Sequence, residues 1–291
     1  RSYDKAKSAA AKFNIPKCYG SYEDLLLDEE IEAVYNPLPN HLHIPWTVKA
    51  LEAGKHVLVE KPIGLSSKEA EILLEESQKY PNLKVMEAFM YRHHPQWIKA
   101  KELVESGVIG KVKTIQSFFA YFDDNPKSIV NTKEYGGGSL MDIGCYPISL
   151  SRFIFNSEPE KVFANIDYHP DYGIDVSATA IMKFKEGTSS FFSSIRIENR
   201  QQSQIYGTKG KIEFAIPFNP IANEPSKMFL HKNNKTEEII FEPCDQYTIQ
   251  ADIFAQSIID DKVVPTHLHD AVNNMKVIER IIESDKLGSW V

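Results

Sequence analysis

The pattern that most limits the fold is a strand–helix–strand unit that closes on Glu60-Lys61-Pro62. Ala33-Val34-Tyr35 is a short apolar run ending in Asn36-Pro37, and His56-Val57-Leu58-Val59 is a second such run. Runs that are apolar at successive positions read as strands buried on both faces. Between them the spacing predicts a helix over Leu42 to Ala53, entered through Asn40 and closed by Gly54. A strand, a crossover helix and a second strand make a right-handed parallel unit. Asn36-Pro37 and Glu60-Lys61-Pro62 then leave the sheet on the same edge. In open α/β sheets ligands bind at that carboxyl edge, so Lys61 sits where a cation can meet a ligand.

The next segments extend the unit. Ser66-Ser67-Lys68-Glu69 is a capping box, and the helix it starts runs to about Tyr80. Leu83 to Glu87 is a third strand, which delivers Phe89-Met90-Tyr91-Arg92-His93-His94-Pro95. Three strand ends converge: Asn36, Lys61, and Glu87 to Arg92. Arg92 either contacts substrate or cofactor or forms an ion pair with Glu87 or Glu60. His93 and His94 read as packing or surface residues. The first loop, Asn36-Pro37-Leu38-Pro39-Asn40-His41-Leu42-His43, is stiffened by two prolines, which suits a flat aromatic ligand. His41 and His43 are two apart, a poor helical ligand pair without an acidic or cysteine partner, so no metal is expected.

Ahead of this unit, Ser2 caps a helix over Asp4 to Phe13, Ile15 to Tyr19 is a short strand, and Ser21 caps a helix through Leu27. Gln96 to Ser106 is a helix ending at Gly107. The pattern then changes to long alternating strands: Lys113 to Phe122, Val162 to Tyr168, Ala178 to Phe184, Ser189 to Ile197, Gln201 to Tyr206, Lys211 to Phe214, Met228 to His231 and Glu237 to Phe241. Helices over Gln250 to Asp260 and His269 to Glu283 cover them. The fold class is α/β followed by α+β. A parallel-sheet domain over residues 1–108 precedes an open antiparallel sheet domain over residues 109–291. Between the first two long strands lies Gly136-Gly137-Gly138-Ser139-Leu140-Met141-Asp142-Ile143-Gly144-Cys145-Tyr146-Pro147. The glycines allow close backbone approach. On a helix Asp142 and Tyr146, four apart, share a face.

Composition narrows the class. The 291 residues are 42% hydrophobic and 25% charged, ordinary for a globular enzyme. The net charge of -7 argues against a nucleic-acid binder. No apolar run reaches the roughly 18 residues of a membrane span. Three scattered cysteines, Cys18, Cys145 and Cys244, form no disulfide framework, so a reducing cytoplasm is expected.

Val57-Leu58-Val59-Glu60-Lys61-Pro62, the Arg92 segment and Gly-Gly-x-x-x-Asp-x-Gly-x-Tyr together resemble the glucose-fructose oxidoreductase / inositol dehydrogenase (Gfo/Idh/MocA) family of NAD(P)-dependent sugar and polyol oxidoreductases. The resemblance spans nearly the whole chain. Asp-Ile-Gly-Cys-Tyr-Pro is similar to the branch with Tyr at the last motif position, that of dimeric dihydrodiol dehydrogenases and NADP xylose dehydrogenases. The resemblance implies that the chain opens where a second Rossmann strand ends. The first strand, the Gly-rich turn and their helix then lie upstream, and no GxGxxG is present. It implies that Arg1 and Ser2 hold the ribose 2′-phosphate of NADP, with Arg1 as an exposed terminal residue the alternative and NAD the second cofactor. It makes residues 1–108 the dinucleotide-binding domain and places Asn36, Pro37, Leu38, Asn40, His41, Glu60, Lys61, Pro62 and Arg92 around the cofactor. It places Lys61, Arg92, Asp142, Tyr146 and Tyr247 around the substrate, and it implies dimers or tetramers formed through the open sheet.

Tyr is a poor base at its ordinary pKa near 10, and a nearby ammonium lowers that pKa. The expected chemistry therefore has Tyr146 exchange the proton. Lys61 tunes it and polarises a sugar, polyol or dihydrodiol substrate, and Asp142 orients Lys61 or a substrate hydroxyl. The competing readings are a non-catalytic, cofactor-binding regulator of the same fold and, ranked last, NAD-cycling glycoside hydrolysis. Tyr146 alone also reads as a core aromatic with a bonded hydroxyl.

Overall fold

The computed structural model describes residues 2–291; Arg1, and with it the 2′-phosphate reading of that residue, lies outside the described residues. The parallel unit is present. β1 (Ala33–Asn36), β2 (His56–Glu60) and β3 (Val85–Ala88) form a three-stranded sheet in that order, both pairs parallel, with Ala33 opposite His56 and Val57 opposite Val85. Burial on both faces explains the unbroken apolar run in β2. Val57 and Val59 face the main core, whereas Leu58 packs with Met86, Ala88, Phe254 and Val264 in a second cluster.

The helices follow their caps. α1 (Tyr3–Phe13) is capped by Ser2, whose hydroxyl accepts from Lys5 N–H, and α2 (Tyr22–Leu26) is capped by Ser21. The segment expected as a strand over Ile15 to Tyr19 is irregular instead. Ile15 is 52% exposed and Pro16 offers no N–H, so the segment has neither a buried face nor a full set of donors. The crossover helix α3 (His43–Glu52) starts after a 3-10 turn over Asn40–Leu42, and Asn40 does not cap it. The Asn40 amide reaches across the molecule and donates to Gly136 O at 2.9 Å. α4 (Ser67–Ser77) carries the expected box: Ser66 accepts from Glu69 N–H, and the Glu69 carboxylate accepts from Leu65 N–H. α5 (Pro95–Glu105) leads into the second sheet.

That sheet has eight strands: β4 (Val112–Phe122), β5 (Lys161–Tyr168), β6 (Asp175–Lys183), β7 (Thr188–Ser194), β8 (Arg196–Gly207), β9 (Lys211–Phe214), β10 (Ser226–Lys232) and β11 (Lys235–Phe241). Their spatial order is β11-β10-β9-β8-β4-β7-β6-β5. The expectation of an antiparallel sheet needs one correction. β4 lies parallel to β7, because the chain leaves β4, builds α6 (Cys145–Phe155) and the β5–β6–β7 meander, and returns beside it. Alternation sets the inner face, where Ile115, Phe119, Val162, Ala164, Ala180, Met182, Phe191, Ile205 and Met228 are buried. α8 (Leu268–Leu287) covers β5 and also packs on α4, while α7 (Gln246–Ile259) turns back onto β2. The C-terminal helices thus seal both sheets. Trp97 of α5 ties them further: its ring stacks on Phe214 at 3.9 Å and its indole N–H donates to Pro217 O at 2.5 Å.

The glycine-rich loop lies where the two halves cross. Gly136 has φ of +77° and packs so closely that a Cβ would stand 2.3 Å from Leu65 Cδ2. Gly138 has φ of +114°, and a Cβ there would stand 2.1 Å from Asp175 Oδ1. The same Asp175 accepts from Ser139 Oγ and from Leu140 N–H, both at 2.7 Å, and so starts the helical segment. Gly138→Ala is therefore expected to lower stability by at least the roughly 1–3 kcal/mol typical of such backbone strain. A urea unfolding midpoint equal to that of the parent protein would contradict this.

Candidate active site

Lys61 emerges at the carboxyl end of β2, and its ammonium is turned toward the second half of the molecule. Asp142 comes to it from a single π-helical turn, Leu140–Gly144, that runs straight into α6. Lys61 Nζ donates to Asp142 O at 2.7 Å and lies 3.4 Å from Asp142 Oδ1. The two side chains are 13% and 28% exposed, so the pair is partly screened from water but still open to a ligand. Tyr121, at the end of β4, donates its hydroxyl to Asp142 Oδ2 at 2.5 Å. Asp142 therefore bridges Lys61 and Tyr121.

Tyr146, one turn further along, is almost fully buried. Lys61 Nζ stands 5.1 Å from the centre of its ring, so the ammonium meets the aromatic face. The ring sits in a cage of Phe89, Tyr91, Phe119 and Phe218, with centroids 5.4 to 5.9 Å away. Its hydroxyl points at Met90 Sδ, 3.6 Å distant. The electrostatics correct the simple expectation for this phenol. Burial raises the Tyr146 pKa well above its ordinary value, and Lys61 opposes that rise without overcoming it. Burial alone would lower the Lys61 pKa, but the opposing charges around it outweigh burial, raise the pKa well above its ordinary value and hold the ammonium charged. Burial pushes the neighbouring Cys145 thiol up to about 12, which leaves it inert.

Two further phenols face the same edge. Tyr35 of β1 donates to Glu60 Oε1 at 2.5 Å, while Glu60 Oε2 accepts from Lys61 N–H. Tyr247, at the start of α7, is 48% exposed. Its pKa is raised first by burial and then by Glu60, with Lys61 opposing. Lys61, Asp142, Tyr146, Glu60 and Tyr247 of the expected set are thus gathered together.

Other expected residues make contacts within the protein. The Arg92 guanidinium donates to Asp270 Oδ2 at 2.7 Å and to Ser149 Oγ at 2.8 Å, and it is buried. An ion pair holds Arg92, but its partner is Asp270, which also binds Arg152 at 2.9 Å. Of the two readings of Arg92, the ion pair is formed, with Asp270 in place of Glu87 or Glu60 as the partner. Asn36 is buried and gives its amide to His43 O and Thr47 Oγ1. Pro37 and Leu38 line an apolar groove of about 390 Å³ that runs along β1 toward Tyr22 and Trp46, away from the Lys61 ammonium. His41 stacks on Tyr135 at 4.8 Å. Pro62 gives its carbonyl to His43. Ser2 serves as a helix cap.

Tyr121 escaped the sequence reading. It shares the inward face of β4 with Ile115, Ser117 and Phe119, so strand alternation does place it, but its partner Asp142 becomes visible only in three dimensions. A nucleotide cofactor fits this edge. His41 Nδ1 is buried without a protein partner in the loop after β1, and a charged ammonium stands at the next strand end. The loop 36–42 and the Glu60-Lys61-Pro62 turn are the residues that would hold it, and a bound nicotinamide would supply or accept a hydride there.

Residues 1–89 match the oxidoreductase family with an NAD-binding Rossmann fold, and residues 97–213 match the GFO/IDH/MocA C-terminal domain. An uncharacterized oxidoreductase of Rhizobium meliloti is 40% identical over all of this chain and 88% of its own length. The D-xylose 1-dehydrogenase (NADP(+)) 2 of Haloferax volcanii is 32% identical over all of this chain and 89% of its own. Among solved structures, a 3-ketoreductase of Actinomadura kijaniata in complex with NADP and TDP-benzene superposes with a TM-score of 0.90 at 26% identity, covering 98% of this chain and 87% of that one. An aldose-aldose oxidoreductase of Caulobacter crescentus, complexed with glycerol, gives a TM-score of 0.91 at 25% identity, covering 99% and 88%. Matched over its whole length in sequence and in fold, the chain belongs to the Gfo/Idh/MocA family of NAD(P)-dependent oxidoreductases.

Proposed function

We propose that the protein is an NADP-dependent dehydrogenase or reductase acting on a CH–OH group of a sugar, cyclic polyol or dihydrodiol, with Tyr146 as the acid/base and Lys61 as its electrostatic partner. The observation that carries this reading is the Lys61 ammonium. It is held charged between Asp142 and the face of Tyr146 at the carboxyl edge of the parallel sheet. An ammonium there polarises a carbonyl oxygen or stabilises an alkoxide. Asp142, anchored by Tyr121, orients the ammonium without taking it out of reach of a ligand. Burial keeps the Tyr146 phenol neutral, which suits it to deliver a proton to a carbonyl, and in the reverse direction Tyr146 takes the proton of the alcohol. The NADP-dependent xylose dehydrogenase and the NADP-bound ketoreductase among the relatives support the choice of cofactor and of substrate class.

The setting of the reaction belongs to the same proposal. Cys18, Cys145 and Cys244 are all unpaired, which suits a reducing compartment such as the cytoplasm. Among the described residues no helix is long and apolar enough to cross a membrane. The outward face of the large sheet stacks Phe118 on Phe192 at 5.1 Å and leaves Ile181 38% exposed. An apolar patch on an open sheet supports pairing with a second copy, as a homodimer or homotetramer.

The full-length protein is expected to form NADPH, with NADP preferred to NAD, from at least one member of a panel of aldoses, polyols and a trans-dihydrodiol. NADP binding without turnover on any of them would contradict the enzyme reading and favour a regulator. Tyr146→Phe should lower kcat by roughly 10²- to 10⁴-fold, the range for lost acid–base catalysis. The raised Tyr146 pKa sets the pH profiles. Oxidation needs the scarce phenolate, so its kcat should climb about tenfold per pH unit through neutrality. Reduction uses the phenol, so its kcat should stay flat there. A plateau in the oxidative profile below pH about 7 would mean that another group carries the proton.

A further inference from the structure

One buried carboxyl has no place in the chemistry above. Glu87, at the end of β3, is 1% exposed. Its Oε1 accepts from Ile63 N–H at 2.9 Å, and its Oε2 is buried with no partner. Ile63 follows directly on Lys61-Pro62. On the other side of that turn Pro62 O meets His43 Nδ1 at 2.8 Å, and the second His43 nitrogen meets Leu38 O at 2.5 Å. Both oxygens can only accept, and burial lowers the His43 pKa, so the neutral ring donates to one of them at a time. The turn that carries Lys61 is thus anchored at the Ile63 amide as well as through His43. The backbone of Glu87 is itself anchored, since its N–H donates to Thr266 O and its carbonyl accepts from Thr266 Oγ1.

A buried carboxyl with one oxygen unpartnered is costly to keep. The position of this one is informative, because it bonds the backbone two residues after Lys61.

We propose that Glu87 is a positioning residue: its carboxyl clamps the Ile63 amide and so aims the Lys61 ammonium at Asp142 and Tyr146. The inference rests on the proposed role of Lys61. Charged neighbours of Glu87 are Arg92, Arg152 and Asp270, while burial, the largest effect, raises its pKa to about 8. At neutral pH the carboxyl is therefore mostly protonated, and glutamine is close to it in shape and in charge.

The test compares Glu87→Gln with Glu87→Leu in the full-length protein. It reads kcat and, separately, the Lys61 ammonium by NMR of protein ¹³C-labelled at lysine Cε, with the signal assigned by its loss in Lys61→Ala. Glu87→Leu should move the Lys61 pKa toward the ordinary lysine value and lower kcat at least tenfold, with a smaller change in KM for the cofactor. Glu87→Gln should restore both. A Lys61 signal unchanged in folded Glu87→Leu would overturn the proposal. So would Glu87→Gln behaving like Glu87→Leu, since charge or packing would then be at work. If Glu87→Leu does not fold, Glu87→Asp, which keeps a carboxyl but withdraws it from Ile63, takes its place with the same expectations. If the parent protein turns over no substrate, the functional reading fails, and the Lys61 signal still decides whether Glu87 aims the ammonium.

Discussion

The arrangement depends on how the Lys61 ammonium is kept charged inside the protein. Withdrawing an ammonium from water costs several kcal/mol unless it is paired and hydrogen-bonded. Here the Asp142 carbonyl and carboxylate and the Tyr146 ring supply the compensation. Lys61 comes from the parallel sheet, Asp142 from the π turn and Tyr121 from the large sheet, so the groups that stabilise the charge also join the two halves. The glycines at 136 and 138 and the Asp175 cap exist in service of that junction, because they let the loop carrying Asp142 come close enough.

Within the proposed reaction the same geometry divides the labour. The aromatic cage around Tyr146 keeps water out and holds the phenol protonated, while Lys61 supplies the positive charge for a developing alkoxide. A lysine that simply lowered a tyrosine pKa would make a base ready at neutral pH. The balance found here keeps Tyr146 in its proton-bearing form, and proton transfer in either direction then calls on the ammonium and a bound substrate oxygen. Arg92 does different work. With Asp270, Arg152 and Ser149 it forms a buried network that fixes α8 and α6 beside β3, and thereby the walls of the cleft.

Much of this was legible in the sequence. The apolar runs of β1 and β2, the turn at Glu60-Lys61-Pro62 and the switch to alternation after Gly107 gave the two sheets, because burial on both faces or on one face leaves different periods. The nearness of Lys61, Asp142 and Tyr146 followed from motif resemblance rather than from spacing. Failures came where a side chain chose a distant partner over a local role. Asn40 looked like a helix cap and instead bonds Gly136, 96 positions away. Arg92, read as a ligand or as an ion-pair partner of Glu87 or Glu60, pairs with Asp270, 178 positions away. Ile15 to Tyr19 had strand composition but no buried face. The parallel pairing of β4 with β7 depends on the path of the intervening meander, which residue patterns do not record. The raised Tyr146 pKa depends on a cage drawn from three separate segments.

The most direct measurement of the central claim is a double-mutant cycle on kcat with Lys61→Met and Tyr146→Phe in the full-length protein. If the ammonium acts through the phenol as one acid–base unit, the double variant will be about as slow as the slower single variant. If the two losses multiply, Lys61 and Tyr146 act independently, and the account of a buried ammonium governing the phenol is wrong.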